Sequence, residues 1–179
     1  MKAIFAIAAL FLVVPQNPPR IAPGVYYRSG DSWKTMEILR LSGSKATHTA
    51  KMLVPGLTPQ IVYVYRGDQA PVRFTDRRPT FLFKENRYLV GTAGDVTPRD
   101  VVIAKFDKKK DHRELQVTTG GNMFTFRAGF GKDRAFDVTA SNQGTGTFEF
   151  TPDQDLAPGE YIVFMGAATK YKGYDFGID

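Results

Sequence analysis

The chain has 179 residues, with 24 lysines and arginines against 18 aspartates and glutamates, and it contains no cysteine. This length suits one ordinary domain or two small ones and buries roughly 70% of the unfolded surface, so disulfides are not required. The absence of cysteine excludes thiol catalysis, thiolate metal sites and a lipid anchor on cysteine. Many short β-type runs between Pro/Gly-rich connectors predict an all-β protein.

Residues 1–19 are predicted to lie outside the fold as a signal peptide. Lys2 precedes an unbroken apolar run over residues 3–14. The run is shorter than the roughly 20 residues of a membrane span and is typical of a signal-peptide core. Because no Ala-x-Ala cleavage site follows it, an uncleaved N-terminal tether stays open. We expect an exported protein, periplasmic or extracellular, with no membrane span other than such a tether.

Residues 20–92 are predicted to form a first small β unit. Its expected strands cover residues 33–41, 60–65, 72–75 and 80–84, with 72–75 as the partner of 60–65. A short helix is expected after Ser42, because Ala46, Ala50 and Leu53 are spaced as on one helical face.

Residues 98–179 are predicted to form a second unit, an immunoglobulin-like β-sandwich. The small, polar stretch before Pro98 is the expected boundary. Strands separated by turn signals are expected at residues 101–106, 113–118, 123–127, 135–139, 147–151, 161–164 and 174–179. The strands at 101–106 and 113–118 are expected to form a hairpin.

A short sequence pattern occurs twice, as Ala22-Pro-Gly-Val-Tyr26 and as Ala157-Pro-Gly-Glu-Tyr161. Proline followed by glycine predicts a type II turn ahead of a strand. Either the chain contains an internal repeat or two strands begin with the same turn, and the second interpretation is preferred on so few positions. Tyr161 begins an apolar run and is predicted to be a core residue.

The elements Leu156-x-Pro-Gly-Glu-Tyr161 and Tyr174-Asp-Phe-Gly-Ile-Asp179, with Arg113-Glu-Leu-x-Val117 upstream, carry a family resemblance. The chain resembles uncharacterised exported bacterial proteins with a C-terminal immunoglobulin-like or transthyretin-like β-sandwich. The resemblance is strongest over residues 98–179. It implies export and a sandwich fold, and it implies no activity.

Few residues suggest chemistry. His48 is expected on a polar helix surface and His112 at a solvated hairpin tip, so neither histidine is expected to be essential. Asp153 and Asp155 read as a turn, because they offer too few oxygen ligands for calcium. We therefore expect no catalytic residue, no metal site and no cofactor. Paired carboxylates could still meet in space, which keeps a small secreted hydrolase acting on carbohydrate or peptide as the alternative.

Positive charge is concentrated at two places, Arg77-Arg78 and Lys108-Lys109-Lys110. These five residues are the candidate ligand-binding residues, with an anionic envelope component or another envelope protein as the expected partner. Nucleic acid is not expected, because the lysines are flanked by aspartates and read as a solvated turn. The leading hypothesis is a non-catalytic binding or structural module of the bacterial cell envelope.

Export is directly testable by N-terminal sequencing of the protein recovered from its own cell. We expect a chain outside the cytoplasm, shortened near residue 19 or retained as an intact tether. A cytoplasmic protein that still begins at Met1 would contradict export.

Overall fold

The computed structural model describes residues 22–47, 60–85, 96–118, 130, 134–144, 146–165 and 172–179. These residues form an all-β protein, which confirms the predicted class. Their one helical element is a single 3₁₀ turn, Pro98–Asp100, in which Asp100 accepts hydrogen bonds from the backbone and hydroxyl of Thr97. None of the described elements is a helix with the length and apolarity needed to cross a bilayer.

Fifteen strands lie within the described residues. In chain order they are β1 (Gly24–Ser29), β2 (Ser32–Thr35), β3 (Ile38–Arg40), β4 (Gly43–Thr47), β5 (Gln60–Arg66), β6 (Arg73–Phe74), β7 (Phe81–Lys84), β8 (Val101–Lys105), β9 (Asp107–Lys108), β10 (His112–Thr118), β11 (Ala135–Phe136), β12 (Val138–Gly144), β13 (Thr147–Pro152), β14 (Gly159–Met165) and β15 (Lys172–Ile178).

The strands form three sheets. The first sheet has the order β12-β13-β7-β1-β2, the middle sheet β11-β8-β14-β15-β3, and the third sheet β4-β5-β10-β9. The neighbours within each of these orders are antiparallel, whereas β6 adds to β15 in parallel.

The middle sheet is covered on both faces. On β14, Tyr161 and Val163 pack with the aromatic side chains of the first sheet in one core cluster. Ile162 and Phe164 face the other way and pack with Tyr65 of the third sheet in a second cluster. Double coverage explains the sequence of β14, since a strand buried on both faces is apolar throughout and does not alternate with polar residues.

The two predicted units share sheets and one core. β7 of residues 20–92 lies between β1 and β13 in the first sheet, and β3 pairs with β15 in the middle sheet. The strands of residues 98–179 are divided among all three sheets, so this part does not form a sandwich by itself. The polar stretch before Pro98 therefore joins two interleaved halves and does not separate independently folded bodies.

Several local predictions need correction. The residues expected to begin a helix after Ser42 form strand β4, which the neighbouring strand β5 recruits into the third sheet. Residues 48–53, the rest of that predicted helix, lie outside the described residues, as does the strand expected at 123–127. The segment expected at 33–41 is two strands, because the chain leaves the first sheet at buried Met36 and enters the middle sheet at Ile38.

Two predicted strand pairings are also wrong. β6, expected beside β5, pairs with β15, while β5 lies between β4 and β10. β8 pairs with β14 and β11, and β10 pairs instead with β5 and the short β9. In both cases strands that are neighbours in the chain do not pair, because both faces of the middle sheet have to be buried.

The repeated Ala-Pro-Gly-x-Tyr pattern forms the same structure twice. The hydroxyl of Tyr26 donates to the carbonyl of Ala22, and that of Tyr161 to the carbonyl of Ala157, each at 2.6 Å. The two glycines have φ of +152° and +154°, values that disfavour a side chain and that differ from the roughly +80° of the predicted type II turn. A tyrosine that bonds to backbone a few residues upstream resembles the tyrosine corner of β-sandwiches.

Tyr161 is fully buried, and its burial raises the pKa of the hydroxyl to about 12. We expect Tyr161→Ala to lower the free energy of unfolding by about 3–5 kcal/mol, the usual cost of deleting a buried aromatic. Tyr161→Phe removes only the corner hydrogen bond and should cost about 0.5–1.5 kcal/mol, as should Tyr26→Phe. Urea denaturation measures these differences, and an unchanged midpoint for Tyr161→Ala would contradict the assignment.

Candidate functional site

Charged side chains from three strands meet between the middle and third sheets. Arg113 of β10, Glu160 of β14 and Asp175 of β15 are almost completely buried. Arg113 Nη1 lies 2.7 Å from Asp175 Oδ2 and 3.6 Å from Glu160 Oε2. The guanidinium also donates to the carbonyls of Arg66 and Gly67, and it lies over the ring of Phe106, 5.0 Å from its centroid.

The network continues outward through Arg73 of β6. Arg73 Nη1 donates to Glu160 Oε1 at 2.7 Å, and Arg73 Nε donates to Asp179 Oδ1 at 2.8 Å. Glu160 Oε2 also accepts a hydrogen bond from the backbone N–H of Ala70 at 2.7 Å. Gly177 leaves room for this arrangement, because a Cβ there would lie 2.3 Å from the Arg73 guanidinium. Five alternating charges thus connect the loop before β6 to all three strands.

Burial and charge pairing act in opposite directions on the pair formed by Arg113 and Asp175. Burial raises the pKa of Asp175, and the charge of Arg113 opposes that shift. Arg113 Nη1 and Asp175 Oδ2 form an ion pair at 2.7 Å. The two groups therefore interact mainly as charges, in surroundings where an unpaired charge is strongly unfavourable.

Sequence reasoning missed this network, although the three quoted motifs each supply a member. Arg113 opens Arg-Glu-Leu-x-Val, Glu160 lies in Pro-Gly-Glu-Tyr, and Asp175 and Asp179 lie in the C-terminal motif. The available signal was a charge embedded in an apolar strand: Glu160 precedes Tyr161, and Asp175 lies between two aromatic residues. Charges in such positions are rarely tolerated unless they are paired.

A second charged cluster lies on the outer face of the third sheet. His112 Nδ1 lies 2.6 Å from Asp111 Oδ1, and His112 Nε2 lies 3.1 Å from Glu114 Oε1. Carboxylates only accept hydrogen bonds, so both ring nitrogens donate when these contacts are made, which requires the imidazolium form. Lys45 and Lys109 also pair with Glu114. His112 is thus held on β10 and is not free at a solvated tip, whereas His48 lies outside the described residues.

The five predicted basic residues fall into two separate groups, in which Arg78, Lys108 and Lys109 make ion pairs. Arg78 pairs with Asp155 at 2.8 Å, and the carbonyl of Arg77 accepts the backbone N–H of Leu156, so these two residues hold the loop before β14. The lysines lie at the β9–β10 turn. Lys108 lies 3.7 Å from Asp68, Lys109 lies 3.7 Å from Glu114, and Lys110 is exposed.

Asp153 and Asp155 lie in a turn between β13 and β14, as predicted, with Asp153 accepting a hydrogen bond from Thr139 and Asp155 pairing with Arg78. Within the described ranges no group of three histidine or acidic side chains is arranged to hold a metal ion. Chemically, the buried network can fix the sheets to each other, and the outer cluster can exchange a proton and attract anions.

Comparison with protein families, curated proteins and solved structures found no match for the chain. The fold and the two charged clusters define a structural class: a three-layered, all-β protein with an ion-paired interface between two of its layers.

Replacing Arg113 tests the buried network. We expect Arg113→Met to lower the free energy of unfolding by about 3–5 kcal/mol, because it leaves the buried Asp175 carboxylate without its counter-charge. Adding Asp175→Asn should recover part of that loss. Arg99→Met, an exposed change, should stay within about 0.5 kcal/mol. Equal stability of Arg113→Met and Arg99→Met in urea would contradict a structural role for the network.

The pKa of His112 is raised by its hydrogen bonds to Asp111 and Glu114. The stabilisation from this group is fully present below the unfolded-state pKa of about 6.5 and is lost as the pH rises through the higher folded-state pKa. His112→Gln should remove this pH-dependent loss of stability, whereas His48→Gln should retain it. NMR titration gives the folded pKa, and a value for His112 at or below that of a free histidine would disprove the paired geometry.

Proposed function

We propose that the protein is an exported, non-catalytic binding or structural module of the bacterial cell envelope, with an anionic envelope component as its partner. The observation that carries the proposal is the division of its charges. Arg113, Glu160 and Asp175 are buried and join two sheets, while exposed positive charge gathers on the third sheet and its β9–β10 turn. The buried charges then serve stability, and the exposed ones are available to a ligand.

Export is supported by the sequence alone, through Lys2 and the apolar run over residues 3–14. The resemblance to exported proteins with C-terminal sandwiches points the same way. The net charge of +6 favours association with anionic material once the protein is outside the cytoplasm.

A small secreted hydrolase is the competing proposal. His112 with its two neighbouring carboxylates is the one arrangement of described residues that resembles an acid–base group. A general base needs a free nitrogen lone pair, whereas both nitrogens of His112 face acceptors. This geometry suits charge pairing better than proton abstraction, and the binding module is therefore preferred.

The test is to crosslink the native protein in intact cells and to identify what it captures from envelope fractions. We expect retention on anionic envelope material that weakens as salt rises, since the Debye length shrinks from about 10 Å at 0.1 M to about 3 Å at 1 M. Replacing Lys108, Lys109 and Lys110 by serine should weaken retention and leave stability within about 0.5 kcal/mol. Hydrolysis of an envelope carbohydrate or peptide that is lost in His112→Gln without unfolding would favour the enzyme.

A further inference from the structure

We propose that the outer face of the third sheet binds a linear polyanion, with Lys45, Arg66 and Lys109 contacting its anionic groups. This inference rests on the proposed function and identifies the surface and the ligand class. Lys45 was not among the residues that the sequence suggested, because only dense runs of positive charge were selected. The structure brings it to the same face as Lys109 of the β9–β10 turn, since both lysines pair with Glu114.

The geometry centres on Glu114. Its Oε1 lies 3.3 Å from Lys45 Nζ and 3.1 Å from His112 Nε2, and its Oε2 lies 3.7 Å from Lys109 Nζ. Three cationic groups, from β4, from β10 and from the turn, therefore surround one carboxylate. Arg66 lies opposite His112 in the β5–β10 register and is exposed on the same face.

Exposure and charge make this cluster available to an anion. The side chains of Lys45 and Lys109 are 60% and 46% exposed, whereas that of Glu114 is only 18% exposed. The cations thus project further into solvent than the carboxylate that gathers them. Glu114 acts as an internal counter-ion that holds the lysines in place and competes with an external anion.

The shape of the charged area favours a chain of anions. Positive groups lie on β4, β5 and β10 and at the β9–β10 turn, whereas β9 presents the acidic Asp107 on this face. With neighbouring strands about 4.8 Å apart, the three strands that carry cations span about 10 Å, long enough for several repeating units of a polymer. A bilayer surface would be better matched by an apolar side chain beside the cations. The one large apolar side chain exposed among the described residues, Ile38, belongs to the middle sheet.

The binding experiment uses the full chain and long-chain polyphosphate as the probe, with calorimetry at several salt concentrations. We expect Lys45→Gln with Lys109→Gln to weaken binding roughly tenfold, since it removes two exposed ion pairs between the protein and polyphosphate. The slope of log affinity against log salt should fall by about 1.4, the value for two lost contacts to a single-stranded polyanion. Lys34→Gln with Arg40→Gln, which removes equal charge from exposed sites on β2 and β3, should leave the affinity within about twofold.

Glu114→Gln gives the sharpest test, because a charge that competes with the ligand is removed. We expect tighter binding of polyphosphate, by about fivefold, the effect of one exposed ion pair at the upper end of its range. Glu37→Gln makes the same change in net charge on the exposed link between β2 and β3 and should change the affinity by less than about twofold. Equal effects of the two substitutions would show that only net charge matters and would overturn the assigned face.

Three further outcomes would also overturn the inference. One is the absence of polyphosphate binding at low salt, and another is binding to phosphatidylglycerol vesicles that is as tight as binding to polyphosphate. The third is a preference for single-stranded DNA, which would assign the face to nucleic acid. If crosslinking in cells captures an anionic envelope polymer while Lys45→Gln with Lys109→Gln binds normally, the envelope module stands and this surface alone is refuted.

Discussion

The double burial of the middle sheet is the constraint on which the rest of the structure depends. β8 and β14 present apolar side chains in both directions, so each face needs a cover. One cover is the aromatic face of the first sheet, and the other is the third sheet. Neither half of the chain contributes enough strands for both covers, and this requirement explains why residues 20–92 and 98–179 interleave.

The two covers are attached in different ways. The first sheet packs through aromatic rings, such as Phe81 against Phe176 of the middle sheet at 5.1 Å between centroids. Such packing is strong but gives little directional control. The third sheet has a smaller apolar contact and adds the ion pairs of Arg113. Because a buried charge away from its partner is strongly unfavourable, the network fixes the position of β10 over β14 and β15.

The sequence predicted the class of the fold and most strand positions, and it failed at the pairings. Alternation and turn residues are local signals, which is why β5, β7, β13 and β14 were found close to their observed bounds. Pairing is decided by which faces must be buried, and that is a property of the whole molecule. The helix expected after Ser42 is wrong over residues 43–47 for the same reason: these residues pair with the edge of β5, although the spacing of apolar residues favoured a helix.

The repeated tyrosine pattern and the buried network show why the site was harder to predict than the fold. Ala22-Pro-Gly-Val-Tyr26 and its counterpart were visible in sequence because all their interactions are local. Arg113, Glu160 and Asp175 are separated by 47 and 15 residues along the chain, and only the layering brings them together. The same holds on the outer face, where Lys45 and Glu114 are 69 residues apart. Sequence alone therefore located charge where it was dense, at the lysine turn. The structure locates it where strands converge, and Glu114 rather than the lysine run organises that surface.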